Sequence, residues 1–334
     1  MTETVLNPGW TTATATGNRP LLKAEDEFLH AVPEGAGYAW TETSYWGFTA
    51  PEHNLMCEIY IWFHPAMKVM SAGVLLWRGL RGSSLAADYV NHHHFLPMPD
   101  QIGHYRIEAI GLEIEIVEPL EKARLKMHDP ARGVSFDVVA QAAHVPVSRP
   151  NGHHLVQPMK VTGALDLYGE QIAIDGYFMR DRSWGAERFE SPLDLPPITW
   201  MTGMADGLSF HLVAFDDPAL QPDWTGAFNQ PSEGENLLWG YLAMDGHTAA
   251  VTRASKLTRR EADGHSPRGF DMEIEDDAGR VLKMHGEVMA RVPWNTWQNV
   301  VVHYALTRWD IGGLIAWGDC QDIHYNRYVH EFAR

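Results

Sequence analysis

Leu55-Met56-Cys57-Glu58-Ile59-Tyr60-Ile61-Trp62-Phe63-His64 is the stretch whose pattern decides the fold. Leu55, Cys57, Ile59, Ile61 and Phe63 fall on one side, and Met56, Glu58, Tyr60, Trp62 and His64 on the other. Side chains alternate across a strand, so this period of two predicts a β-strand with one apolar face. The same period runs through Ile110, Leu112, Ile114 and Ile116, with Glu113 and Glu115 opposite, and through Val134, Phe136, Val138, Ala140 and Ala142. Turn residues separate such runs at Asp129-Pro130 to Gly133, at Tyr168-Gly169 and at Asp276-Asp277-Ala278-Gly279. Short alternating segments between turns predict an antiparallel meander. Helical periodicity is confined to residues 21–30, where Leu22, Ala24 or Glu25, and Phe28 to Leu29 would face inward.

The chain has 334 residues, 45% hydrophobic and 21% charged, which excludes disorder, collagen and coiled coil. Its 26 basic and 43 acidic side chains leave a net charge of −17, repelled by phosphate backbones and anionic leaflets, so neither nucleic acid nor a membrane surface is an expected partner. The longest apolar run, residues 69–77, is far shorter than the roughly 20 residues of a spanning helix. The beginning MTETVLNPGW lacks a basic region followed by an apolar core, which reads as a cytoplasmic protein. Two cysteines, Cys57 and Cys320, supply no disulfide framework. Cys57 falls on the apolar face of its strand, and Asp319 beside Cys320 would raise the pKa of that thiol.

The proline-rich stretch 191–197 divides the chain into residues 1–190 and 191–334, each with enough strands to close a sheet or curl it into a barrel. Thirteen Trp and 18 His give wide apolar surfaces with polar handles, so the expected ligand is lipophilic. The hairpins holding Leu125-Lys126-Met127-His128 and Leu282-Lys283-Met284-His285 echo each other, but the segment precedes the turn in one and follows it in the other.

The densest polar segment is Tyr177-Phe178-Met179-Arg180-Asp181-Arg182-Ser183-Trp184-Gly185-Ala186-Glu187-Arg188. Arg180, Arg182 and Arg188 around Asp181 would hold that carboxylate ionised, as a catalytic group or as a structural ion-pair hub. Asp181-Arg182-Ser183-Trp184-Gly185 with the trailing Arg188 resembles the Asp-x-x-Trp-Gly motif of the carotenoid 1,2-hydratase and AttH-like family. Tyr38-Ala39-Trp40-Thr41-Glu42, Trp46-Gly47-Phe48 and Leu75-Leu76-Trp77-Arg78-Gly79 are similar to its N-terminal half, and the likeness in layout covers much of residues 36–320.

This resemblance implies an all-β protein of two lipocalin-like (calycin) antiparallel β-barrel domains side by side, with an apolar cavity near their junction and no organic cofactor. It also implies a lyase or isomerase, foremost a hydratase or dehydratase of a terpenoid, steroid-like or aromatic molecule. Where the family's hydratases place an aspartate on the strand after the Trp-Gly motif, this chain has Leu208-Ser209-Phe210-His211-Leu212-Val213-Ala214-Phe215, preceded by Asp206; where they place a His between Asp and Trp, it has Arg182. His211 shares a face with Ser209, Val213 and Phe215 and is either the proton-transfer group or a core histidine.

The expected catalytic set is therefore Asp181, His211 and Arg188. Trp184, Arg180, Arg182, Tyr177, Trp46, Trp62 and His64 would line the substrate site, aromatic faces stabilising developing positive charge. A non-catalytic carrier of a hydrophobic ligand is the alternative. A histidine-ligated metal enzyme is a third reading, from His92-His93-His94 and His153-His154, although neighbours on a strand point to opposite faces and no ligand set of helical spacing occurs; the site is expected to hold no metal. Asp322 and His324, two apart, would form an oriented acid–base pair or simply sit on a final strand closing the second barrel. His285, between Lys283 and Glu287, is expected to face solvent. No nucleophile elbow or phosphate loop is present, and the sequence leaves a homodimer open.

Overall fold

The computed structural model describes residues 22–150, 152–187, 194–224, 226–229, 231–232, 234–295 and 300–331. The strands are Trp40–Ala50 (β1), Leu55–His64 (β2), Val69–Arg78 (β3), Tyr89–Pro97 (β4), His104–Ile107 (β5), Leu112–Glu118 (β6), Lys122–Asp129 (β7), Val134–Ala142 (β8), Val147–Ser148 (β9), His154–Leu167 (β10), Glu170–Glu187 (β11), Ile198–Ala205 (β12), Leu208–Phe215 (β13), Leu237–Met244 (β14), His247–Arg260 (β15), Pro267–Asp276 (β16), Val281–Trp294 (β17), Val300–Ile311 (β18) and Leu314–Tyr325 (β19). The α-helix Asn326–Glu331 (α1) follows them. Among the described residues no helix is long and apolar enough to cross a membrane.

The all-β architecture follows the alternation. The deciding stretch is β2, and it pairs with β1 from Glu42↔Phe63 to Ala50↔Leu55. The three turns fall where the turn residues stand, with Tyr168 (φ 58°) and Gly169 (φ 89°) both left-handed, as the tight β10–β11 hairpin requires. Two sheets result. The first runs β4-β3-β2-β1-β11-β10-β8-β7-β6-β5, with β9 on β10, and remains open; the second, β12 to β19 in chain order, closes into an eight-stranded barrel. β19 pairs with both β18 and β12 and so completes the closure. Gly318 permits the close approach there, since a Cβ at that position would lie 1.8 Å from the carbonyl oxygen of Thr202.

The chain separates into two compact units, one of Arg19–Trp77 with Ala87–Phe189, the other including Arg78–Ala86 with Glu190–Arg334. The excursion Arg78–Ala86 joins the second because Leu80 bridges Arg291 and the Arg81 amide donates to the Arg291 carbonyl at 2.8 Å. The apolar core of the barrel is built from Met201, Phe210, Leu212, Phe270, Met272 and Trp309, with smaller residues between them.

One expected element differs. Among the described residues of that segment, 22–30, the structure has only the four-residue 3₁₀ helix Ala24–Glu27, and its buried side chain is Glu27. A carboxylate anchored to an arginine, not an apolar stripe, holds this segment down, so the helical period had no core to face.

Candidate functional site

Arg180 and Arg182 do not collect around Asp181. Arg180 donates to Glu27 from Nη1 (2.6 Å) and Nη2 (2.8 Å) and to Gln157 Oε1 from Nε (2.9 Å), and its guanidinium lies 4.6 Å over the Trp46 ring. Arg182 pairs with Glu42 and donates to the carbonyls of Thr43 and Phe28, each at 2.8 Å. Residues 180 and 182 share a strand face from which Asp181 is excluded by alternation. Asp181 instead approaches His154, 3.8 Å away. Arg188 lies outside the described residues.

Burial pushes the Glu27 carboxyl up, but Arg180 beside it, by charge and hydrogen bonds, brings it below its ordinary range. Burial likewise acts first on Glu42, and His30 and Arg182 together bring it down. The His30 ring stacks on Trp184 at 4.5 Å. Trp46, Trp184, Arg180 and Arg182 thus belong to one anchoring cluster that fastens residues 23–30. Trp62 and His64 sit side by side on β2 with rings 4.6 Å apart, and Tyr177 lies under the Lys160 ammonium at 4.7 Å.

His211 belongs to the other unit. Phe210, Leu212 and Ala214 of β13 enter the barrel core, so Ser209, His211 and Val213 take the opposite side of the barrel wall. There the imidazole lies between two indoles, 3.9 Å from Trp200 of β12 and 4.7 Å from Trp239 of β14. Its Nδ1 is 3.1 Å from the Met201 carbonyl oxygen. A carbonyl only accepts, so Nδ1 carries hydrogen, and in the neutral ring Nε2 holds the lone pair. Tyr241, opposite His211 in register, has its hydroxyl 3.5 Å from Ser209 Oγ. Gln321 of β19 stands opposite Trp200 and donates to Asp319 at 2.9 Å. The arrangement offers an imidazole of fixed tautomer against aromatic faces, which suits proton transfer to or from a hydroxyl on an apolar molecule.

The histidine runs make no metal centre: among the described residues no three His, Cys, Asp or Glu side chains gather to hold an ion. His94 Nδ1 contacts Ser71 Oγ at 3.1 Å, His93 contacts Asn91 at 3.1 Å, and burial, then His94 and His93, push His92 down to about 4. His285 is exposed, 2.6 Å from Asp271. Both thiols are buried; burial pushes Cys320 up to about 12, and Asp319 contributes less.

The barrel interior holds a polar network: Asp322 and His324, an expected pair, are 2.7 Å apart, and they are joined by Asp216, Lys256, Arg260 and His303, which the sequence did not point to. Lys256, Thr258 and Arg260 alternate like a solvent face, so their pattern concealed it. Burial pushes His303 and His324 below the ordinary 6.5, against the pull of Asp322. Above about 6.5 neither folded nor unfolded chain protonates them; below it the unfolded chain takes up protons that the fold refuses. Stability is therefore expected to fall as pH drops from 6.5 toward 5, by up to about 1.4 kcal/mol per pH unit for each histidine. Urea midpoints at pH 7, 6 and 5 measure this, and His303→Gln should flatten the dependence; a flat wild-type profile contradicts it. Asp216 and Asp322, held low by Lys256 and Arg260 against burial, add their loss only at more acid pH.

Two solved structures share the fold. Kievitone hydratase from Nectria haematococca matches with a TM-score of 0.52 at 13% identity, over 94% of this chain and 96% of that one. CghA matches with a TM-score of 0.55 at 9% identity, over 86% and 88%. No curated protein matches the chain. A family model matches residues 23–327, nearly the whole length, and the chain belongs to that family, described as a domain of unknown function, DUF7064.

Proposed function

We propose that the protein is a cofactor-independent hydro-lyase that adds water to, or removes it from, a terpenoid, steroid-like or aromatic small molecule. The observation that carries this reading is His211, its Nδ1–H turned to the Met201 carbonyl and its ring flanked by Trp200 and Trp239. In the dehydrating direction the imidazolium gives its Nε2 proton to the substrate hydroxyl, the carbon–oxygen bond breaks and water leaves. The cation that develops on carbon faces indole rings, which favour it electrostatically. The neutral Nε2 of His211 then takes a proton from the neighbouring carbon, restoring the imidazolium, while the C–H electron pair forms the alkene; hydration is the reverse. The fold shared with a kievitone hydratase and the Asp181 to Gly185 likeness to the carotenoid hydratase kind support the class of reaction.

Native mass spectrometry of freshly purified protein, followed by extraction of any co-purified apolar molecule, supplies the substrate. Incubation is then followed for a mass change of one water. His211→Ala is expected to lower turnover at least about 10²-fold, the contribution of a positioned acid or base, with its strand content unchanged by circular dichroism. Full turnover in folded His211→Ala refutes the assignment, and a bound molecule that wild type never converts identifies a carrier.

A further inference from the structure

The polar end of the barrel interior contains two imidazole nitrogens without hydrogen-bond partners among the described residues. Asp216 accepts from Lys256 Nζ (2.7 Å), the Thr258 amide (2.8 Å) and hydroxyl (2.9 Å), and Arg260 Nη1 (3.0 Å). Asp322 Oδ1 accepts from Thr199 Oγ1 (3.0 Å) and Arg260 Nη2 (3.0 Å), and its Oδ2 from Arg260 Nη2 (2.9 Å) and His324 Nε2 (2.7 Å). Both carboxylates are saturated. An ionised carboxylate only accepts, so the His324 proton sits on Nε2 and its Nδ1 is a lone pair.

His303 Nε2 is 3.0 Å from Nδ1 of His265, a partly exposed residue. Nδ1 of His303 and Nδ1 of His324 are both buried with no hydrogen-bond partner among the described residues, on rings 5.2 Å apart. A buried polar atom left unsatisfied costs about 1–3 kcal/mol, so a pair of neighbouring ones marks a place built for an occupant.

We propose that His303 and His324 line a binding site for a single neutral hydroxyl oxygen, of a water or a small alcohol, which donates its O–H to Nδ1 of His324 and accepts from Nδ1–H of His303. The chemistry selects this class. Arg260 and Lys256 on the same carboxylates repel a metal cation, and two nitrogens are too few to hold one. Asp322, bonded directly to His324, opposes an anion. A hydroxyl both donates and accepts, matching one lone pair and one N–H. Asp322 orients His324 and increases its basicity toward that hydroxyl. The site is on the core side of the wall whose opposite side bears His211, and it does not depend on the reaction proposed for that residue.

The assignment requires three protonation patterns: His324 on Nε2, His303 on Nδ1, and His265 on both nitrogens, with Nδ1–H donating to His303 and Nε2–H facing the Asp263 carboxylate 3.5 Å away. Proton–nitrogen correlation spectra of ¹⁵N-histidine-labelled wild-type protein at pH 7.5 read them directly. The expected result is this set, with the His324 Nδ1 resonance displaced from that of an unbonded lone pair. His303 protonated on Nε2, or His324 Nδ1 at the unbonded position, overturns the proposal. Native mass before and after denaturing extraction distinguishes the sources: an alcohol adds its mass to the folded protein, whereas water leaves no extractable compound. Equimolar zinc is expected to leave both resonances in place, and a shift of both overturns the neutral assignment. In His303→Phe the His324 Nδ1 resonance should move to the unbonded position, and no movement overturns the shared oxygen. If that variant does not fold, His265→Ala is expected to release His303 into a mixture of tautomers, and an unchanged single tautomer counts against the scheme.

Discussion

Asp216→Ala is expected to cost roughly 3–5 kcal/mol of stability, the usual consequence of stranding a buried charge. The Asp216 carboxylate receives Lys256 and Arg260 together with the amide and hydroxyl of Thr258, while Lys256 is fully buried. Removing the carboxylate leaves the barrel interior with two cations against Asp322 alone. Water cannot replace it cheaply, because burial already pushes the Lys256 amine below its ordinary value and Asp216 opposes that fall. Urea denaturation of the full chain is the measurement, and amide exchange along β15 locates the loss. The double variant Asp216→Ala/Lys256→Met should recover most of the deficit, since it removes the stranded charge as well. A single variant within about 1 kcal/mol of wild type, the range of an exposed ion pair, would show the network to be solvated.

Glu27→Ala is expected to act at the same scale, roughly 3–5 kcal/mol, by leaving Arg180 buried without its bidentate partner. Its local signature differs. Glu27 Oε2 also accepts the Leu120 amide at 3.0 Å, so that amide should lose exchange protection. Residues 23–30, fastened through Arg180 and Arg182, should become accessible to proteases. Glu27→Leu with Arg180→Met, which replaces the pair by apolar bulk under Trp46, should restore most of the stability. An unprotected Leu120 amide in wild type, or no change in Glu27→Ala, contradicts the anchoring role.

The strands were legible because their signal is local. Alternation over Leu55 to His64 states which side chains share a face, and Tyr168-Gly169 states where the chain turns, whatever lies elsewhere in the chain. The division of β13 into Phe210, Leu212 and Ala214 against Ser209, His211 and Val213 was readable for the same reason. The partners of Arg180 and Arg182 were not readable. Proximity along the chain suggested Asp181, but alternation turns a neighbour's side chain away, and Glu27 and Glu42 arrive from 153 and 140 residues off. Of the interior network only Asp322 and His324 stood out; the rest was hidden more completely, because an alternating polar face is the usual mark of solvent and Lys256 to Arg260 carry that mark inside a barrel.

From the amino acids alone came the β class, the turn positions and the partition of each strand into two faces, since these depend on backbone geometry and on neighbours one or two residues away. Only the tertiary structure decided that the second sheet closes and the first stays open, which charges find partners, and that His211 stands between Trp200 and Trp239. Those outcomes turn on strand order and on contacts between residues far apart in the chain, where the same local pattern is compatible with water or with a buried countercharge.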